Sequence, residues 1–271
     1  MQKNRIGKIF YRIIAMITLV CLLCSFFGCE AEDESVSNTK VNRSTSTQKA
    51  TKKPTNTKRV AITFDDGPHN VRTMQIVDEL AKYGYTATFF VVGNRVDGKA
   101  YNGAEAVKYA YDHGNELAIH GYTHAVYYDS CEYDRYQREL SNTMNAIKEV
   151  APKAKVKLMR PIGGNITDDR VESCDYSVIM WSVDSEDWKY KGRGENGELA
   201  EQNINTIVEN VMSQVSAGDI ILMHDIYENT YEATKIILER LHAEGYDVVS
   251  VSELLGNTSA GVKYSRLKVG T

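Results

Sequence analysis

At 271 residues, with 42% apolar and 25% charged side chains, the chain has the length and composition of one large globular domain plus appendages. Its net charge of -4 gives no basis for a nucleic-acid partner, and five cysteines at this length exclude a disulfide-stapled scaffold.

Lys3, Arg5, Lys8 and Arg12 form a basic leader, and an apolar run from Ile13 to Phe27 follows. A positive flank ahead of a short apolar core is the pattern of an export signal, or of a single anchoring helix if it stays uncleaved. Gly28 precedes Cys29, which looks like a bacterial lipoprotein cleavage site with Cys29 as the lipidated residue. In either form residues 1–29 would hold the rest of the chain at the membrane, on the extracytoplasmic side of a bacterial envelope. Residues 30–57 are Ser, Thr, Asn, Lys and acidic residues with almost no large apolar side chains. Too little surface can be buried there to offset ordering entropy, so the segment reads as a flexible linker.

From Lys58 strand-like runs alternate with helical patterns, which predicts a parallel α/β domain over residues 58–257. The predicted strands are Val60–Phe64, Ala87–Val92, Glu116–Ile119, Val156–Met159, Tyr176–Val183, Asp219–Met223 and Asp247–Val251. Apolar faces at helical spacing separate them: Met74/Val77/Leu80/Ala81, Leu140/Met144/Ile147, Ile204/Ile207/Val208/Val211/Val215 and Ile237/Leu238/Leu241. Gly84, Gly114, Gly218 and Gly245 stand just before strands, where helices would end. Seven such strands approach a barrel, and no eighth is visible. Residues 258–271 carry no legible signal and read as a C-terminal tail. Cys131 and Cys174, outside any CxxC motif, are open to pairing or to remaining free thiols.

Ligands of parallel α/β folds bind at the carboxyl ends of the strands. The unusual polar residues fall there: Asp65 and Asp66 after the first strand, His120 and His124 after the third, and Arg160 after the fourth. Trp181 and Asp184 come late in the fifth, with Asp187 and Trp188 just beyond, and His224 and Asp225 follow the sixth. His120 and His124 are four residues apart, and on a helical turn both would face one cation. With one aspartate from another strand end they make a two-histidine, one-carboxylate set with positions left for water and substrate. Zinc suits these donors best, with cobalt, nickel or iron as alternatives.

A hydrolase also needs a base for the water's proton and an acid for the leaving group. The second aspartate of the opening pair can be the base and His224 the acid. Arg160 would hold the basic carboxylate, and Asp184 would orient His224. Trp188 is open between core packing and a sugar-facing wall.

In this order Thr-Phe-Asp-Asp-Gly, His-x-x-x-His, Arg-Pro-x-x-Gly, Asp-x-x-Asp-Trp and Leu-x-His-Asp resemble the polysaccharide deacetylases of carbohydrate esterase family four, over about Lys58 to Leu255. The resemblance implies a distorted (β/α)7 barrel that removes acetyl groups from a glycan such as peptidoglycan or chitin. By position it implies Asp65 as general base, Asp66, His120 and His124 as ligands of a divalent metal, Arg160 as partner of Asp65, and His224 as general acid supported by Asp184. It places Leu222 against the acetyl methyl group and the Gly163 N–H as oxyanion donor. Acetylated polysaccharide is the expected substrate, with O-acetyl xylan or a non-catalytic wall-binding role as the alternatives, and the protein is expected to be a monomer. Two departures stand out. Gly121 replaces the usual hydroxyl residue after the first metal histidine, and Ile162-Gly163-Gly164 replaces a bulkier third motif, which predicts a more open groove wall.

Overall fold

Strand β1 (Arg59–Asp65) sits inside a parallel sheet, and all its residues after Arg59 are buried. A strand covered on both faces has no polar alternation, which is why it reads in sequence as a continuous apolar run. The structure, a computed structural model, describes residues 58–98, 103–194 and 196–267. The predicted leader, Cys29 and the linker lie outside the described residues. Among the described residues no helix is long and apolar enough to cross a membrane.

The other strands are β2 (Thr88–Val91), β3 (Glu116–Ile119), β4 (Leu158–Met159), β5 (Ser177–Ile179), β6 (Val183–Asp184), β7 (Ile220–His224), β8 (Asp247–Val249) and β9 (Lys263–Tyr264). Their order is β6-β7-β1-β2-β3-β4-β5-β9, with β8 paired to the start of β1. Every strand pair is parallel. Among the described residues eight α-helices pack around this curled sheet: α1 (Arg72–Lys82), α2 (Gly93–Val96), α3 (Ala104–Asp112), α4 (Tyr133–Val150), α5 (Asp168–Glu172), α6 (Glu201–Met212), α7 (Glu228–Ala243) and α8 (Val251–Leu255). The result is the expected distorted (β/α) barrel. Helix α3, which buries only the small face Ala106, Val107 and Ala110, escaped the sequence pattern.

Two apolar clusters divide the strand residues by parity. Val60, Ile62 and Phe64 of β1 join the large cluster that contains the helices' buried residues, as do Leu117 and Ile119 of β3 and Ile221 and Met223 of β7. Ala61, Phe90, Ala118, Leu158, Ile179 and Ile220 form the second cluster with Val249, Val251 and Leu254. Because side chains alternate along a strand, Thr63 and Asp65 continue the Ala61 face, and His120, Arg160, Leu222 and His224 continue the faces of Ala118, Leu158 and Ile220. The residues at the strand ends therefore converge inside the barrel, above an apolar floor.

Three sequence expectations need correction. The single strand predicted over Tyr176–Val183 is two, β5 and β6. Between them the Met180 carbonyl is taken by Arg160 Nη2 and its N–H by the Tyr264 carbonyl, so the chain leaves β4 and joins β7 through Ser182 N–H to Ile220 O. The strand predicted to run to Val251 stops at Val249, because Ser250 caps α8 through its side chain. The predicted tail is structured through residue 267. It adds β9 to β5 and runs back to Gly218, whose carbonyl accepts the Leu267 N–H. Cys131 and Cys174 are both free thiols.

Candidate active site

Asp65 and Asp66 leave β1 in different conformations. Asp65 is the last strand residue, level with His224 across the β1–β7 ladder. Asp66 adopts a left-handed backbone, φ 70°, which a non-glycine side chain rarely takes and which turns its carboxylate back into the same cavity.

Arg160 organises Asp65. Its guanidinium is fully buried, donates from Nη1 to Asp65 Oδ1 at 2.7 Å and to Thr63 Oγ1 at 2.7 Å, and from Nε to the Ile179 carbonyl at 3.0 Å. It lies over the Phe90 ring at 4.2 Å. Burial lowers the Arg160 pKa, opposed by Asp65, so the pair stands only because its donors are matched one by one. The Arg160 carbonyl accepts from His120 Nδ1 at 3.0 Å. One residue thus fixes Asp65 through its side chain and the His120 ring through its backbone.

With Nδ1 committed to that carbonyl, His120 Nε2 presents its lone pair to the cavity. It lies 3.4 Å from Asp66 Oδ1, and His124 Nε2 lies 2.8 Å from the same oxygen. Asp66 Oδ1 is buried and takes no well-aligned hydrogen bond. Burial raises the Asp66 pKa, but the two imidazoles outweigh it and hold the carboxyl well below the usual range. Burial lowers the pKa of His120, and the charges of Asp65 and Asp66 override it upward. The ligand atoms of Asp66, His120 and His124 all lie within 4.8 Å of one another. An orphaned carboxylate oxygen facing two imidazole nitrogens fits a divalent cation by donor type and spacing.

The pair His120/His124 does not sit on a helical turn, as its spacing suggested. It occupies a loop after β3 with His124 at φ 55°. Glu139 of α4, buried, holds that loop: one carboxylate oxygen accepts from the Tyr122 and Thr123 N–H groups at 2.7 and 2.8 Å, the other from Thr123 Oγ1 at 2.9 Å. Sequence reasoning missed Glu139, and its one available signal was an acidic residue on the buried face of an amphipathic helix, beside Leu140.

His224 is oriented by Asp187 and not by Asp184, which corrects the sequence expectation. Asp187, fully buried, accepts from His224 Nδ1 at 2.7 Å, from the His224 N–H at 2.7 Å and from Thr230 Oγ1 at 2.7 Å. Asp184 lies on the cavity wall with Oδ1 bonded to the Glu186 N–H, and burial pushes its pKa up. The turn at Glu186, φ 54°, carries the chain past Asp184 so that the later aspartate meets the imidazole. Burial lowers the His224 pKa, but Asp187 and then Asp65 outweigh it, and the group is pushed up to about 9.

These groups share one cavity of about 430 Å³ that also takes in Leu222, Gly163, Trp181 and Trp188. Trp188 is half exposed and lines this cavity, so it is not a core residue. Two further lining residues, Tyr127 and Tyr227, were not singled out in the sequence. The arrangement pairs a held carboxylate with a held, charged imidazole across a cation-type site, the parts a hydrolytic acyl transfer needs.

A family model described as polysaccharide deacetylase matches residues 52–178. The chain is 35% identical over 199 residues to the peptidoglycan-N-acetylmuramic acid deacetylase PdaC of Bacillus subtilis, covering 73% of this chain and 39% of that protein. It is 32% identical over 210 residues to a peptidoglycan-N-acetylglucosamine deacetylase of Bacillus cereus, covering 74% of this chain and 90% of that one. Among solved structures it superposes on a family 4 acetyl xylan esterase from Clostridium thermocellum in complex with a cobalt ion, with TM-score 0.68 and 27% identity over 78% of this chain and 100% of that one. The chain spans about two fifths of the length of the curated peptidoglycan deacetylases it matches first.

Proposed function

The chain belongs to the polysaccharide deacetylase family, and from that premise we propose that it is a metal-dependent hydrolase removing acetyl from N-acetylglucosamine units of a cell-wall glycan such as peptidoglycan. The observation that carries this reading is the meeting of Asp66, His120 and His124 between an Arg160-held Asp65 and an Asp187-held His224. Asp66, His120 and His124 would hold the divalent cation, with zinc the best match to two imidazoles and a carboxylate and cobalt or nickel the alternatives. Such a cation, when bound, polarises the acetyl carbonyl and makes water more acidic.

The chain's own residues do the rest. Asp65, aimed by Arg160, takes the proton of the attacking water. His224, charged and fixed through Nδ1 by Asp187, gives a proton from Nε2 to the departing amine nitrogen. The Gly163 N–H would donate to the oxyanion and Leu222 would pack on the acetyl methyl group, roles supported by their place in the lining of the same cavity. Asp184, on the same wall, is left to contact substrate and not to orient the acid.

The test is acetate release from N-acetylglucosamine oligomers and from peptidoglycan by metal-loaded protein, lost on chelation, restored by added zinc or cobalt, and abolished in Asp65→Asn. Metal-loaded protein inert on every acetylated glycan would end the proposal. The likeness to an acetyl xylan esterase supports an ester-cleaving alternative, and acetylated xylan assayed alongside separates the two. The basic leader, apolar run and Cys29 support attachment to the outer membrane face of the cell, which mass analysis of the mature N-terminus checks.

A further inference from the structure

The loop after His124 presents two adjacent tyrosines in opposite directions. Tyr128 is fully buried, meets Tyr136 edge-on at 4.9 Å, and forms a parallel bridge to Ile166. Its hydroxyl lies over Gly121, where an added Cβ would stand only 2.6 Å from Oη. Tyr127, its neighbour, is 54% exposed and lines the mouth of the catalytic cavity. There its ring edge faces Gly163, with Cε1 3.5 Å from where a Cβ would stand, and Asn165 Nδ2 is nearer to that point at 2.9 Å. The space that Gly163 leaves without a side chain is thus flanked by Asn165 of its own loop and by Tyr127 of another. Gly121 makes the room for Tyr128, and Tyr128 anchors Tyr127.

An exposed aromatic ring fixed by a buried neighbour, at the rim of a polar cavity, is an apolar surface held ready for a ligand. Depth tells which part of the ligand it meets. Asp65 and His120 are almost fully buried, whereas Tyr127 and Trp188 stand half exposed. The acetyl-bearing sugar must enter past the rim, so the rim rings meet what projects outward, the adjoining sugars of a chain. Tyr127 follows β3 and Trp188 follows β6, strands separated in the sheet by β7, β1 and β2, so the two rings approach the cavity from different sides.

We propose that Tyr127 is a substrate-binding residue that stacks on the pyranose next to the one being deacetylated, and that with Trp188 it makes the site select glycan chains over single sugars. The inference rests on the glycan-deacetylase reading and adds to it a length requirement and the residue that imposes it. The C–H face of a pyranose suits the electron-rich face of a phenol ring, and the Tyr127 hydroxyl at the solvent edge needs no partner from the protein.

The experiment is calorimetric binding of tri-N-acetylchitotriose, an O-acetylated xylotriose and monomeric N-acetylglucosamine to the metal-loaded Asp65→Asn protein, alone and combined with Tyr127→Ala or Tyr127→Phe. Tyr127→Ala is expected to weaken trimer binding about fivefold to tenfold, and at least threefold more than monomer binding, with Tyr127→Phe restoring it. In the active protein the same change should raise KM for the trimer far more than it lowers kcat. Trimer affinity unchanged in Tyr127→Ala overturns the proposal while leaving the deacetylase reading intact. A loss that appears equally in Tyr127→Phe and follows a drop in Tm assigns Tyr127 to structure and also overturns it. Failure of both trimers to bind the protein with Tyr127 in place overturns both readings.

Discussion

Asp187 holds His224 twice, by ring and by backbone, and this double hold has consequences that a nearby carboxylate alone would not. Asp187→Asn keeps the shape and removes the charge, so kcat should fall by about 10²–10⁴-fold, the range of a mispositioned general acid. Asp184→Asn, by contrast, should act mainly on KM. The pH profile follows from the same contact. The acid works while His224 is protonated, so the rate should fall as pH rises through about 9 in the parent, and the limb should move down toward the ordinary histidine range in Asp187→Asn. The linked stability has the same sign. A histidine raised in the folded state contributes stability that is complete below its unfolded pKa and lost as pH rises through about 9, so Tm against pH should be flatter over that window in Asp187→Asn.

Between elements, the loop joining β3 to α4 combines a left-handed residue with a buried carboxylate clamp. His124 is left-handed, Glu139 ties the backbone of Tyr122 and Thr123, and Gly121 sits at φ 92° under Tyr128. The side chain expected from the family at position 121 has no room here, since a Cβ would stand 2.6 Å from Tyr128 Oη. Gly121→Ala should cost about 1–3 kcal/mol, from an L side chain at positive φ and from collision with Tyr128 Oη. In a Tyr128→Phe background the cost should be smaller, since the colliding atom is gone, and a double-mutant cycle in thermal unfolding reads the difference. Equal costs in both backgrounds would mean that Tyr128 does not press on Gly121. The same elements explain why a pair four residues apart was misread as helical: spacing fixes which ring positions can share an ion, but Glu139, fifteen residues on from His124, fixes the loop that lets them.

Over the whole molecule, the barrel is finished by residues that carry no sequence signal. Ser177 Oγ meets Thr258 Oγ1 and the Ser259 carbonyl, β9 pairs with β5, and Leu267 reaches Gly218. Deleting residues 258–271 should therefore lower Tm markedly and weaken the β5–β6 break that presents Met180 to Arg160, with activity falling alongside; an unchanged melting curve would make those contacts incidental. The sequence by itself determined the parallel α/β class, the apolar strand runs, the placement of Asp65, Asp66, His120, His124, Arg160 and His224 at strand ends, and the family. These are local or periodic signals, since a buried strand must be apolar and a carboxylate that follows one must have a purpose. Only the tertiary structure decided that Asp187 and not Asp184 meets His224, that Glu139 clamps the histidine loop, that Tyr127 lines the cavity with Gly163, and that residues 258–267 add a strand to β5 and reach Gly218. Each of those depends on where a backbone turn aims a side chain, on φ values at Asp66, His124 and Glu186, and on contacts across many residues of chain, none of which leaves a periodic trace in the order of amino acids.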